Sequence, residues 1–426
     1  MTMEKTQTPT MFTTVTLALI PIVMVLGNSM LVPVLPTMEK TLNVTKFQTS
    51  LLITLFSLSA GIIIPIVGYL ADRFKRKMII GISLLVYGIG GIVSGLAAWL
   101  MKDSYSMILV GRIIQGIGAA GTSPIAMALI GDLYKGGGES RALGINEAAN
   151  GLGKILSPIL GSLIALITWY AVFFVFPIFC FIVAALTWFV IKEPKAPEAK
   201  PLPKYINSLK NIFAQKGKWL VPALLVGATG LFILFGVLFY LSNLLEDDYN
   251  VDGVLKGGIL AIPLLGLVTT SYFTGSKIKQ NKPLIRTVML TGIALLTASV
   301  LIVSFFENIY VIVGLLTVSS VGTGLLLPCL NTLITGAINK PERGMITSLY
   351  GSVRFIGVAI GPPLFGWLMD ISHRTLFFTV TAISAVSLVV TFFFINPAQN
   401  KGQQGQGGRK TPAKDKSGRR QAKAPT

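Results

Sequence analysis

The chain has 426 residues, of which 52% are hydrophobic and only 12% charged, with a mean hydropathy of +0.72. Ordinary soluble domains carry about 25% charged residues, so this composition excludes a water-exposed globular surface and points to repeated passage through a membrane. The net charge of +19 would suit nucleic acid, but the basic residues sit in alternate loops between apolar runs, which excludes that partner.

The apolar runs fall at about 12–35, 47–70, 78–100, 107–130, 143–167, 171–191, 219–245, 257–276, 285–305, 310–337, 346–370 and 375–396. Each is long enough for a helix of about 20 residues to cross the hydrocarbon layer. Helices are expected because backbone groups left unpaired in lipid are costly, and a barrel needs short alternating segments instead. The first run is too long for a signal-peptide core and no small-residue cleavage site follows it, so it reads as a retained span. With the N-terminus placed inside, 28 of the 36 Lys and Arg fall on the inner side, five in outer loops, and Arg112, Lys154 and Arg354 inside spans. Basic residues are retained on the cytoplasmic side, so both termini are expected there, in a bacterial-style inner (plasma) membrane. The segment 192–218, with Pro194, Pro197, Pro201 and Pro203, reads as a cytoplasmic linker carrying a short surface helix near 205–213. It divides the chain into an N-terminal six-helix bundle (1–191) and a C-terminal one (219–396). Residues 397–426, rich in Gly, Gln, Lys and Arg without an apolar face, read as a disordered basic tail, with membrane lipid headgroups as a candidate contact.

Five short patterns carry more than hydropathy. The first span closes on Leu26-Gly27, with Pro33 and Pro36 beyond. The second loop runs Gly68-Tyr69-Leu70-Ala71-Asp72-Arg73-Phe74-Lys75-Arg76-Lys77. In the fourth span Arg112 precedes Gln115-Gly116, and Asp132 stands at its inner end. On the fifth, Gly153, Ser157 and Gly161 recur every four residues beside Pro158, a small-residue stripe that lets helices approach closely. The eleventh repeats the idea with Gly357, Gly361, Pro362 and Gly366. Loop and spans together resemble the major facilitator superfamily, twelve-span drug and proton antiporter type. Gly68, Asp72, Arg73 and Arg76 match its G-x-x-x-D-R-x-G-R-R loop, with Lys75 where glycine is usual. Gly144, Gly153, Ser157, Pro158, Gly161 and Ser162 keep the spacing of its antiporter motif, with serine at two glycine positions.

The resemblance implies an all-α integral membrane protein: twelve helices in two six-helix bundles that rock about a central site. It also implies secondary transport, with protons as coupling ion, a monomer, and no cofactor. Asp72 and Arg73, with Asp132, are expected to form a cytoplasmic latch; Gly68, Arg76, Gly153, Ser157, Pro158 and Gly161 are the further gating candidates. Glu147 is the acidic residue lying clearly within a span and, with Arg112, the candidate for proton coupling. Glu147, Asn150, Lys154 and Ser157 share one helix face, and Lys154 and Arg354 are expected to meet a substrate from opposite halves. A first span without acidic residues and two inward cations disfavour cationic drugs. They suit an anionic or neutral amphiphile, such as a phenolate- or carboxylate-bearing natural product, a siderophore-like molecule or a lipid-linked compound, while apolar walls that include Met24, Met30, Phe174 and Phe232 leave broad drug export as a further reading. The alternatives are a flippase for a lipid-linked substrate and an importer of the same fold. An enzyme is not expected, since the one histidine, His373, stands apart and no nucleophile, metal or phosphate-loop pattern is present.

Overall fold

The computed structural model describes residues 10–134, 137–193, 201–278, 281–337 and 340–396. The proposed tail, Lys5 and the prolines at 194 and 197 lie outside the described residues. Twelve stretches are long and apolar enough to cross a membrane, as the hydropathy pattern requires.

The first span is α1 (Met11–Ser29), a 3-10 turn at Val32–Val34 and α2 (Leu35–Leu42). Pro33 and Pro36 open the turn and α2, where a missing N–H costs nothing. Thr45 and Gln48 cap α3 (Lys46–Ala71) reciprocally, and α4 (Arg76–Leu100) follows the basic loop. The fourth run divides into α5 (Tyr105–Ala119) and α6 (Ser123–Leu133). The break falls at Gly121-Thr122, before Pro124, whose ring disfavours a continuous helix. Next come α7 (Gly137–Ala165) and α8 (Val172–Val190).

The second half begins earlier than the hydropathy suggests. A single helix, α9 (Leu202–Asp247), runs 46 residues, so the linker placed at 192–218 is helical from Leu202 and its short surface helix is the start of the seventh span. Pro201 and Pro203 sit at the helix start, where proline is tolerated, and nothing between Lys204 and Val221 breaks it. The remaining helices are α10 (Gly253–Ile278), α11 (Lys282–Val303), α12 (Ile309–Ala337), α13 (Lys340–Met369) and α14 (His373–Phe394).

Trp99, Ile167, Phe189, Val386 and Phe393 are exposed, the outward apolar surface that lipid covers. Inside, small residues set the spacing. A methyl group on Gly161 would overlap the Met30 backbone of α1, and one on Gly357 or Gly361 would overlap the Ala228 or Phe232 backbone of α9. Two helix pairs carry most of the packing between the halves. Thr54 Oγ1 of α3 donates to Ala359 O of α13 at 2.8 Å, and Ser352 Oγ of α13 donates to Gly61 O of α3. Gly257 of α10 lies against Pro158 and Ser162 of α7, and Gly151 of α7 against Val268.

Candidate functional site

The centre is built by α7 and α13. Gly153 and Gly161 meet α1 at Ile22 and Met30, whereas Gly151, Pro158 and Ser162 meet α10. At 3.6 residues per turn Lys154, Glu147 and Asn150 fall between these two contact faces, while Ile145, Leu152, Leu156 and Leu163 fall on the exposed side. On α13, Gly357 and Gly361 meet α9, and Ser348 and Ser352 meet α3 at Gly68 and Gly61. Arg354 falls between those faces, so both cations turn toward the middle of the molecule. Lys154 lies within electrostatic reach of Arg354 and of Glu147. Both cations are half-buried, and among the described residues neither has a carboxylate at ion-pair distance. Arg354 stacks at 5.2 Å over the Tyr350 ring. Glu147 is exposed.

Two of the expected wall residues are elsewhere: the Phe174 ring packs on Gly95 of α4, and Met30 packs its backbone on Gly161. Phe232 is buried against Phe365, ring centroids 5.9 Å apart.

Arg112 is fully buried within the N-terminal half. Its Nε donates to Leu52 O at 2.8 Å, Nη1 to Gly27 O at 2.8 Å and Gln115 Oε1 at 2.5 Å, and Nη2 to Asn28 Oδ1 at 2.8 Å. The guanidinium also lies 4.5 Å from the Phe56 ring centroid. It thereby ties α1, α3 and α5 together through neutral acceptors, with no carboxylate in ion-pair contact among the described residues.

At one end of the bundle Arg76, the first residue of α4, bonds Asp132 of α6 through Nη1 and Asp72 through Nη2 at 3.2 Å. Arg73, the cation expected in this latch, is exposed and donates to the Tyr69 hydroxyl at 3.3 Å. Asp72 ends α3 and Arg76 begins α4, so the tight turn between them aims Arg76 back at both carboxylates and Arg73 away. The Glu193 carboxylate accepts from the Arg76 and Lys77 backbone N–H at 2.7 and 2.9 Å, tying this loop to the end of α8. Gly68 lies against Ser348 of the other half.

The opposite end holds a cluster that the sequence reading missed. Lys40 of α2 bonds Glu246 of α9 at 3.0 Å, Lys46 of α3 bonds Asp247 at 2.9 Å, and Lys256 of α10 bonds Glu246 at 2.8 Å. Nearby, Ser242 Oγ donates to Val32 O at 2.7 Å. Lys256 is 1% exposed, so Glu246 is the counter-charge that its burial requires. The sequence signal was an acidic run, residues 246–248, ending the seventh span and facing lysines at 40 and 46 in the first outer loop.

Twelve spans, a cationic centre and charge clusters at both ends define a polytopic membrane transporter. A family model of the Major Facilitator Superfamily matches residues 17–285 and 283–424. The chain is 46% identical over 396 residues to the "Bacillibactin exporter" of Bacillus subtilis (strain 168), covering 92% of this chain and 98% of that protein. It is 26% identical to "Multidrug resistance protein 1" of the same organism, covering 88% and 94%. Among solved structures a D-xylose-proton symporter shares the fold with a TM-score of 0.75 at 14% identity, covering 92% and 99%. The chain belongs to the Major Facilitator Superfamily, a family of transporters and not of enzymes.

Proposed function

We propose that this transporter exports an anionic or neutral, siderophore-like amphiphile by proton antiport across the plasma membrane, with both termini in the cytoplasm. The observation that carries the reading is the convergence of Lys154 and Arg354, one from each half, with no carboxylate at ion-pair distance from either among the described residues. Cations left unpaired inside a membrane protein are costly, and an anionic ligand supplies the missing charge. The relative named as a bacillibactin exporter, similar over nearly the whole of both chains, supports a siderophore-like substrate and the outward direction. The two bundles open alternately to either side of this centre. The Asp72–Arg76–Asp132 cluster acts at the cytoplasmic end and the Lys40–Glu246–Lys256 cluster at the outer end. Glu147, two turns from Lys154 on the same helix and exposed, exchanges the coupling proton.

The test is retention of bacillibactin by cells with and without the protein. Expression should lower intracellular bacillibactin at least several-fold, and a protonophore should abolish the difference. Glu147→Gln should bind the compound and fail to respond to the proton gradient. Unchanged retention on expression defeats the export reading, and gradient-driven export by Glu147→Gln removes that residue from coupling.

A further inference from the structure

The seventh span outruns the membrane. The 46 residues of α9, at 1.5 Å rise per residue, make about 69 Å, more than twice the roughly 30 Å of a hydrocarbon layer. The surplus lies at the start of the helix, and it is amphipathic. Tyr205, Leu209, Ile212, Lys216 and Trp219 recur at steps of four and three on one face, each half-buried or buried, while Lys204, Asn207, Lys210, Asn211 and Lys218 are exposed.

That face ties the extension to the second half. Ile212 and Trp219 belong to one buried cluster with Ile278 of α10, Ile285 of α11 and Ile346 of α13, and Tyr205 and Leu209 pack against it. The extension therefore moves with the second bundle. Its first turn nevertheless reaches the first bundle: the Tyr205 ring meets the Tyr69 ring of α3 edge-on, centroids 5.2 Å apart. The Tyr69 hydroxyl accepts from Arg73 at 3.3 Å, and Asp72 lies within electrostatic reach of Tyr205.

The charge cluster at this end cannot hold the halves together by itself. Arg76, Asp72 and Asp132 all belong to the first half, on α4, α3 and α6. Contacts that do cross are Gly68 against Ser348 of α13 and, one residue on, Tyr69 against Tyr205. We propose that the start of α9 is a strap of the second half, whose Tyr205 closes on Tyr69 and holds the Asp72–Arg76 end shut. An edge-to-face ring pair is worth about twofold to tenfold in an equilibrium constant. That is enough to bias a two-state opening without locking it. The strap rests on the alternating opening of the two bundles and not on the identity of the ligand.

Spin labels at Lys75→Cys and Lys277→Cys, exposed positions in opposite halves, report the separation at this end. The native Cys180 and Cys329 are buried. Distances are read by pulsed electron resonance on the full-length protein in lipid nanodiscs, without ligand. Tyr205→Ala should raise the ratio of long to short distances about threefold. Tyr69→Ala should do the same, and the double variant should shift no further than either alone, because both remove one contact. Tyr205→Phe keeps the ring and should stay within about 1.5-fold of wild type, a rescue that a general packing defect does not predict. Unchanged distances in Tyr205→Ala, shifts that multiply in the double variant, or a Tyr205→Phe shift equal to that of Tyr205→Ala overturns the strap. A shift in Asp72→Asn with none in Tyr205→Ala defeats the strap and leaves the alternating opening standing.

Discussion

At the scale of single residues, two arginines show how burial and partners divide roles that the sequence leaves open. The pattern Arg112-x-x-Gln115-Gly116 shows an intramembrane cation and the resemblance assigns it to proton coupling; its partners, on α1 and α3, are far away in sequence and emerge only from packing. Four hydrogen bonds to neutral acceptors make Arg112 a structural tie. Arg112→Ala strands Asn28, Gln115 and two carbonyls, each at about 1–3 kcal/mol. The purified variant should therefore unfold several degrees below wild type in a thermal fluorescence scan; an unchanged midpoint contradicts the tie. The loop residues are the second case. Spacing alone gives Arg73 and Arg76 equal claims on Asp72, and only the turn geometry separates them. Arg76→Ala should reduce transport as strongly as Asp72→Asn, while Arg73→Ala should leave most of it, measured as initial flux at matched expression. The reverse order would restore Arg73 to the latch.

Among the helices, hydropathy marked each span because lipid demands about 20 apolar residues, whatever lies beside them. It failed at the start of α9, where residues 202–218 are polar enough to read as loop and are held in a helix by continuity with the span that follows. Tyr205 near its start meets the Tyr69 ring edge-on at 5.2 Å, so the early helix is docked on the first half. The opposite-end clasp was illegible for a different reason: Lys40 and Glu246 are separated by 206 residues, and single-chain charge patterns do not show which loops meet. The Lys46–Asp247 bond, with side chains 27% and 30% exposed, joins α3 of the first half to α9 of the second. Asp247→Lys should slow transport through repulsion with Lys46, and adding Lys46→Asp should restore at least half of the rate. No recovery in the exchanged pair would show that the contact does not bridge the halves during transport.

For the whole molecule, the two halves repeat one small-residue pattern on α7 and α13, and Lys154 and Arg354, one turn apart in that repeat register, both turn from these helices toward the middle of the molecule. The small-residue stripes were legible because close helix approach restricts residue size strongly. For the ligand the sequence offers only a sign of charge to propose, from the acid-free first span together with Lys154 and Arg354. The most direct measurement is uptake into inverted vesicles of a matched series, benzoate, benzyl alcohol and benzylamine, under an imposed pH gradient. The account predicts transport of the anion, weaker transport of the neutral analogue and none of the cation, with Lys154→Ala and Arg354→Ala each lowering anion flux at least fivefold. Preferred transport of the cation, unchanged by either substitution, would contradict it.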